Sequence, residues 1–118
     1  MTSRPGPELL ELIGEAAFVR LAEAFGGTRL YVPQRFAADS EIVKAIGIEA
    51  AGRLSQRLAP DVIKVPLARD LRARHYRAAG RSNARIASAL GITERAVEKL
   101  FQRMDDPPVK ASQFSLFD

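Results

Sequence analysis

The sequence predicts a mainly α fold with two short β-strands. A duplicated helix-helix-strand unit (1–66) precedes three further helices (67–104) and a tail (105–118). Three observations predict this. Apolar residues recur at helical spacing through most of the chain. Two brief β-rich runs, each closed by a proline, interrupt them. The order of the parts repeats when the sequence is displaced against itself by 33 positions.

At that offset Ile13-Gly14 falls on Ile46-Gly47, Ala17 on Ala50, Arg20 on Arg53, Leu21 on Leu54, Val32 on Val65 and Pro33 on Pro66, without a gap. Phe25 meets Leu58 and Leu30 meets Ile63. The first unit opens at Pro7, since proline suits the first helical turn, where its missing N–H goes unused. Leu9, Leu10, Leu12 and Ile13 form the apolar face, and Gly14 interrupts the helix. A second helix is predicted over Glu15–Phe25, with Ala17, Leu21, Ala24 and Phe25 facing inward. Gly26-Gly27 stops it by adopting a left-handed cap. Thr28–Val32 alternates as a strand does, and Pro33, which cannot donate to a ladder, ends it. In the second unit Asp39 and Ser40 cap a helix through Ile46, Ile48–Leu58 continues it, Ala59–Asp61 turns, and Val62–Val65 is the strand. Strands this short need a partner for their backbone groups. Pairing within one chain and pairing across a two-fold axis between chains are both open.

The charge is unevenly placed. Residues 1–50 hold five basic and seven acidic side chains, whereas residues 51–118 hold thirteen and seven. The excess lies in Leu67–Arg103, where Arg69, Arg72, Arg74, Arg77, Arg81, Arg85, Arg95, Lys99 and Arg103 face only Asp70, Glu94 and Glu98. With a pI of about 10.0, this is the pattern expected where phosphates are held.

Within that window Leu67–Ala79 is predicted as a helix, with Leu67, Leu71, Ala73, Tyr76 and Ala79 on its buried face and Gly80 at its end. Asn83–Gln102 then fits a bihelical module. Ile86, Ala87 and Leu90 form the inner face of a first short helix. Gly91 supplies the positive φ of a tight turn, Ile92 plugs it, and Thr93 caps the next helix. Val97 and Leu100 continue the buried stripe, so Thr93, Glu94, Arg95, Glu98, Lys99 and Gln102 project outward. Such a helix suits the major groove of duplex DNA. Arg95 suits guanine, Gln102 adenine and Glu98 cytosine. Arg81, Arg85, Lys99 and Arg103 flank it as phosphate contacts, giving affinity without sequence information.

Leu12-Ile13-Gly14-Glu15-Ala16-Ala17, then Leu21–Pro33 with its Gly-Gly…Tyr-Val-Pro ending, then the basic helix-turn-helix, resembles the Mor (middle operon regulator) transcription activators of phages and prophages. The resemblance runs from Leu9 to Met104. It implies an N-terminal dimerisation region of helices and a strand, a homodimer, a helix-turn-helix DNA-binding domain and contact with bacterial RNA polymerase. It also implies DNA contact by the turn and strand, here Gly26, Gly27 and Thr28. The sequence departs from the family at Ala59-Pro60, which stands in the second unit where the first has its double glycine, and in having a second strand at all.

The tail ends in Gln113-Phe114-Ser115-Leu116-Phe117-Asp118, similar to the short peptide with which bacterial proteins bind the sliding clamp. Gln113 would hydrogen-bond, and Leu116 and Phe117 would fill apolar pockets. The alternative function is therefore a DNA-binding adaptor that recruits the clamp. An enzyme is not expected. There is no cysteine and a single histidine, His75, whereas nucleophilic catalysis needs an activated nucleophile with a base. Gly26-Gly27 also lacks the Lys-Ser/Thr of a phosphate loop. No cofactor or metal is expected. No apolar stretch approaches the roughly 18 residues of a membrane span, and Met1–Pro7 has no apolar signal region. The expected location is the cytoplasm of a bacterial or phage-infected cell, at the nucleoid.

Overall fold

A computed structural model describes residues 5–104 as seven helices and a two-stranded antiparallel sheet. The elements run α1 (Pro5–Ile13), α2 (Glu15–Phe25), β1 (Arg29–Val32), α3 (Glu41–Ile46), α4 (Ile48–Leu58), β2 (Asp61–Lys64), α5 (Arg69–Ala78), α6 (Asn83–Leu90) and α7 (Glu94–Gln102). Contacts divide the chain into two compact units, with the boundary between Ala68 and Arg69.

In the first unit, helix-helix-strand occurs twice, and each pair of helices is broken by one glycine. Gly14 has φ 84°, ψ 162° and Gly47 has φ 92°, ψ 159°, a region open essentially to glycine alone. Neither break leaves the glycine's own backbone groups orphaned. Gly14 N donates to Leu10 O at 2.9 Å, and Phe18 N donates to Gly14 O at 2.9 Å. Gly47 repeats the arrangement with Val43 O at 2.8 Å and Ala51 N at 3.1 Å. The helix changes direction while its hydrogen-bond ladder carries through the glycine. Carbonyls just before each break receive an arginine: Arg53 Nε donates to Leu12 O at 3.0 Å, and Arg20 Nε to Ala45 O at 3.1 Å. Donor and acceptor each shift by the same 33 positions between the two bonds.

The packing is crosswise, with α1 against α4 and α2 against α3. Leu9, Phe18, Leu21, Ala51 and Leu54 are buried between the helices. The strands pair within the chain in the register Arg29↔Lys64, Leu30↔Ile63, Tyr31↔Val62 and Val32↔Asp61. Exchanging residues 33 apart turns Arg29↔Lys64 into Tyr31↔Val62 and leaves Leu30↔Ile63 unchanged. The ribbon therefore has a local two-fold axis through Leu30 and Ile63. Both of those residues are buried on the helices' side.

The second unit is three helices around Ala73, Tyr76, Ile86, Leu90, Val97 and Leu100. Arg72 is buried with them at 7% exposure. It donates from Nε to Tyr76 Oη at 3.2 Å and from Nη2 to Ala89 O at 3.1 Å, satisfying a carbonyl at the end of α6.

Several expectations are corrected. Helix α5 begins at Arg69, not Leu67, because Ala68 has a positive φ of 53°. Leu67 is 42% exposed and lies beside the glycine turn, its Cδ2 3.5 Å from where a Gly27 Cβ would stand. Leu71 is only half-buried and Ala79 is exposed, while Arg72 takes a core position. On α2, Phe18, Val19 and Ala22 join Ala17 and Leu21 in the core, whereas Ala24 is exposed. Strand β2 starts one residue earlier than expected because the register draws Asp61 opposite Val32. Val65 still donates to Thr28 O at 2.9 Å just beyond the ladder. Gly26 is not left-handed, with φ −54° and ψ 135°. It is required for another reason: a Cβ there would stand 2.5 Å from Ala22 O.

Nothing lies within 4 Å of a Cβ at Gly14 or Gly47, so alanine there meets backbone strain and no clash. Gly14→Ala and Gly47→Ala should each destabilise the chain by about 1–3 kcal/mol. Urea unfolding checks this; an unchanged midpoint in both variants would refute the conformational assignment.

Candidate nucleic-acid interface

Helices α6 and α7 are held at a tight turn by local chemistry at every corner. Ser82 starts α6, its Oγ accepting from Arg85 N at 3.3 Å. The helix ends at Gly91, which is left-handed with φ 71°, ψ 33°. There Gly91 N donates to Ser88 O at 3.3 Å and Ile92 N to Ala87 O at 3.0 Å, the paired bonds of a Schellman ending. Helix α5 ends the same way: Gly80 N donates to Arg77 O at 2.9 Å and Arg81 N to Tyr76 O at 3.1 Å. Thr93 caps α7, its Oγ1 accepting from Ala96 N at 3.0 Å.

Val97 and Leu100 are buried, which fixes the rotation of α7 about its axis. Thr93, Glu94, Arg95, Glu98, Lys99, Gln102 and Arg103 are all exposed. Of these, Arg95, Glu98, Lys99 and Gln102 line one shallow depression of about 430 Å³. Their spacing is that of one helix face. Among the described residues, no ion pair draws Arg95 or Lys99 to Glu94 or Glu98. The face therefore offers two cations, one carboxylate and one amide to a partner.

The flanking cations differ in how free they are. Arg85 is exposed. Arg103 lies 3.9 Å from Asp70, with both side chains more than two-thirds exposed, a pairing that costs little to exchange for a phosphate. Arg81 stacks its guanidinium 4.9 Å from the Tyr76 ring centre. Two arginines of the basic window are structural. Arg72 is buried, as described. Arg77 donates to Arg81 O at 3.0 Å and to Asn83 Oδ1, and lies 4.9 Å from the Phe101 ring centre. Burial lowers the Arg77 pKa from its ordinary value. His75 packs its ring edgewise on Tyr76, the centroids 6.0 Å apart.

The turn residues Gly26, Gly27 and Thr28 belong to the first unit, and packing accounts for each. Gly26 is held by close approach of backbone, Gly27 has φ 83°, and Thr28 Oγ1 donates to Phe25 O at 2.6 Å. The residues after them are the ones left outward. Tyr31 and Val62 face each other across the ribbon at 57% and 54% exposure, with exposed Arg29 and Lys64 beside them. Sequence reasoning missed this face, although the alternation of Arg29–Val32 carried the signal. Gln113, Leu116 and Phe117 lie outside the described residues.

Among the described residues, no helix is long and apolar enough to cross a membrane, and no group of three or more His, Asp or Glu is placed to hold a metal ion. No protein-family model, no curated protein and no solved structure matches the chain.

Thr93→Ala removes the hydroxyl cap of α7 and should lower stability by about 1 kcal/mol, read as a shift in thermal or urea midpoint. Gly91→Ala should also destabilise, and Gly91→Asn less so, because asparagine tolerates the left-handed region better. Equal stability of all three variants and the parent would contradict the capped-turn geometry.

Proposed function

We propose that the chain is a sequence-specific DNA-binding transcription regulator, a Mor-like activator whose α6–α7 pair is a helix-turn-helix with α7 as the recognition helix. The observation that carries this reading is the exposed row Arg95, Glu98, Lys99 and Gln102 on a helix whose opposite side is locked into a core. An exposed helix of this kind fits the major groove, which is wide enough to admit an α-helix and displays a distinct pattern for each base pair. Arg95 donates both ends of its guanidinium to guanine O6 and N7, Gln102 pairs with adenine, and Glu98 accepts from cytosine N4. Arg85, Lys99 and Arg103 hold phosphates, which sets register on the duplex. Arg81 joins them after giving up its stacking on Tyr76.

On this reading residues 1–66 are a duplicated helix-helix-strand scaffold and 67–104 the DNA-binding domain. The shared offset of 33 positions in glycine conformation, arginine bonds and strand register supports the duplication. The turn and strand contact with DNA that the family resemblance implies is made by Gly26, Gly27 and Thr28, of which Gly27 and Thr28 are exposed. Contact with RNA polymerase is the partner that the same resemblance implies.

The test is duplex binding by the full chain, with selected sequences and their scrambled versions. Arg95→Ala should weaken the selected sequence by about 10- to 100-fold and scrambled duplex little, the scale of one bidentate base contact. Arg85→Ala should weaken both alike and reduce the salt slope by about 1. If neither substitution alters binding, α7 is not the recognition helix.

A further inference from the structure

We infer that the chain is its own dimer and reads a single, non-palindromic DNA half-site as a monomer; the inference rests on the DNA-binding reading of α6–α7. Regulators that bind palindromes do so because two chains related by a two-fold axis each bring one recognition helix, and the symmetry of the operator mirrors that of the protein. Here the two-fold axis is used up within one chain. It passes through the Leu30↔Ile63 pair and exchanges Arg29↔Lys64 with Tyr31↔Val62. It also exchanges the Arg20–Ala45 bond with the Arg53–Leu12 bond, and the α1–α4 packing with the α2–α3 packing. In a two-chain assembly these would be contacts between protomers. In this chain both partners of every one of them are already present.

The two halves differ in where the chain goes beyond their strands. Pro33 and Pro66 occupy equivalent places, at the exits of β1 and β2. The chain leaving Pro66 goes on to α5, α6 and α7, whereas the chain leaving Pro33 goes on to α3. Among the described residues a symmetric scaffold therefore carries one recognition helix, on one of two equivalent exits. A single such helix cannot read both arms of an inverted repeat. Its target has no dyad and spans no more than about one turn of duplex, ~10 base pairs. The cations that hold phosphate on this reading, Arg81, Arg85, Lys99 and Arg103, set a shallow salt dependence. About four phosphates give a slope of log K against log salt near −4, and two chains would double it.

The experiment uses the full chain with a randomised 30-base-pair duplex library at low salt, followed by light scattering and stoichiometric titration of a selected duplex. The expected results are a mass near the 12.9 kDa of one chain, a titration break at one chain per duplex, and a motif without dyad symmetry. A break at two chains per duplex on an inverted repeat overturns the inference while leaving the DNA-binding reading intact. Retention of no duplex at all overturns both, and a monomeric mass in that case identifies the DNA-binding reading as the failed premise.

Discussion

Two strands of four residues each present a row of backbone N–H and C=O groups that the other strand satisfies. That constraint organises the whole first unit. Once β1 lies antiparallel to β2 with Leu30 opposite Ile63, the side-chain alternation puts Leu30, Val32 and Ile63 under the helices and Tyr31 and Val62 outside. A slip of one residue would reverse every one of these assignments. The same pairing brings the end of each helix pair beside the other, so that α1 meets α4 and α2 meets α3. Arg20 and Arg53 then fall within reach of carbonyls just ahead of the opposite glycine break. Sheet, helix packing and arginine caps are thus consequences of one register.

The second unit depends on helix ends in place of strand pairing. Its helices are short, between eight and ten residues, and isolated helices of that length are marginal in water. Schellman bonds at Gly80 and Gly91, hydroxyl caps at Ser82 and Thr93, and the guanidinium of Arg72 on Ala89 O satisfy backbone groups that the helix ends would orphan. The hydroxyls of Ser82 and Thr93 and the guanidinium of Arg72 serve the fold. The exposed polar row of this unit lies on α7, with Arg85 exposed on α6. The division is physical: Arg72 and Arg77 have acceptors and aromatic faces around them, whereas Arg95 and Lys99 stand exposed to solvent.

Much of this was legible residue by residue. The break at Gly14 and Gly47, the caps at Ser40 and Thr93, the left-handed Gly91 and the inward Val97 and Leu100 all follow from local backbone chemistry or from helical period. The exposed row on α7 was legible for the same reason, since burial of two residues on a short helix fixes where the others point. Less legible were the ends of elements and the fate of individual arginines. Leu67 reads as a core residue of a helix, yet positive φ at Ala68 excludes it from α5 and leaves it beside Gly27. Gly26 reads as a left-handed cap, yet it is needed because a carbonyl stands too close for any side chain.

What the sequence by itself determined is therefore the set of helices, the breaks at Gly14 and Gly47, the caps at Ser40, Gly91 and Thr93, and the side of α7 that stays wet, because each is decided within a few neighbouring residues. The tertiary structure decided which strand pairs with which, that the pairing closes inside one chain, and which arginines are consumed by the core. Those outcomes need groups distant in sequence to meet: Lys64 lies opposite Arg29, Ala89 O accepts from Arg72, and the Phe101 ring lies against Arg77. No local pattern records which acceptor a guanidinium will find.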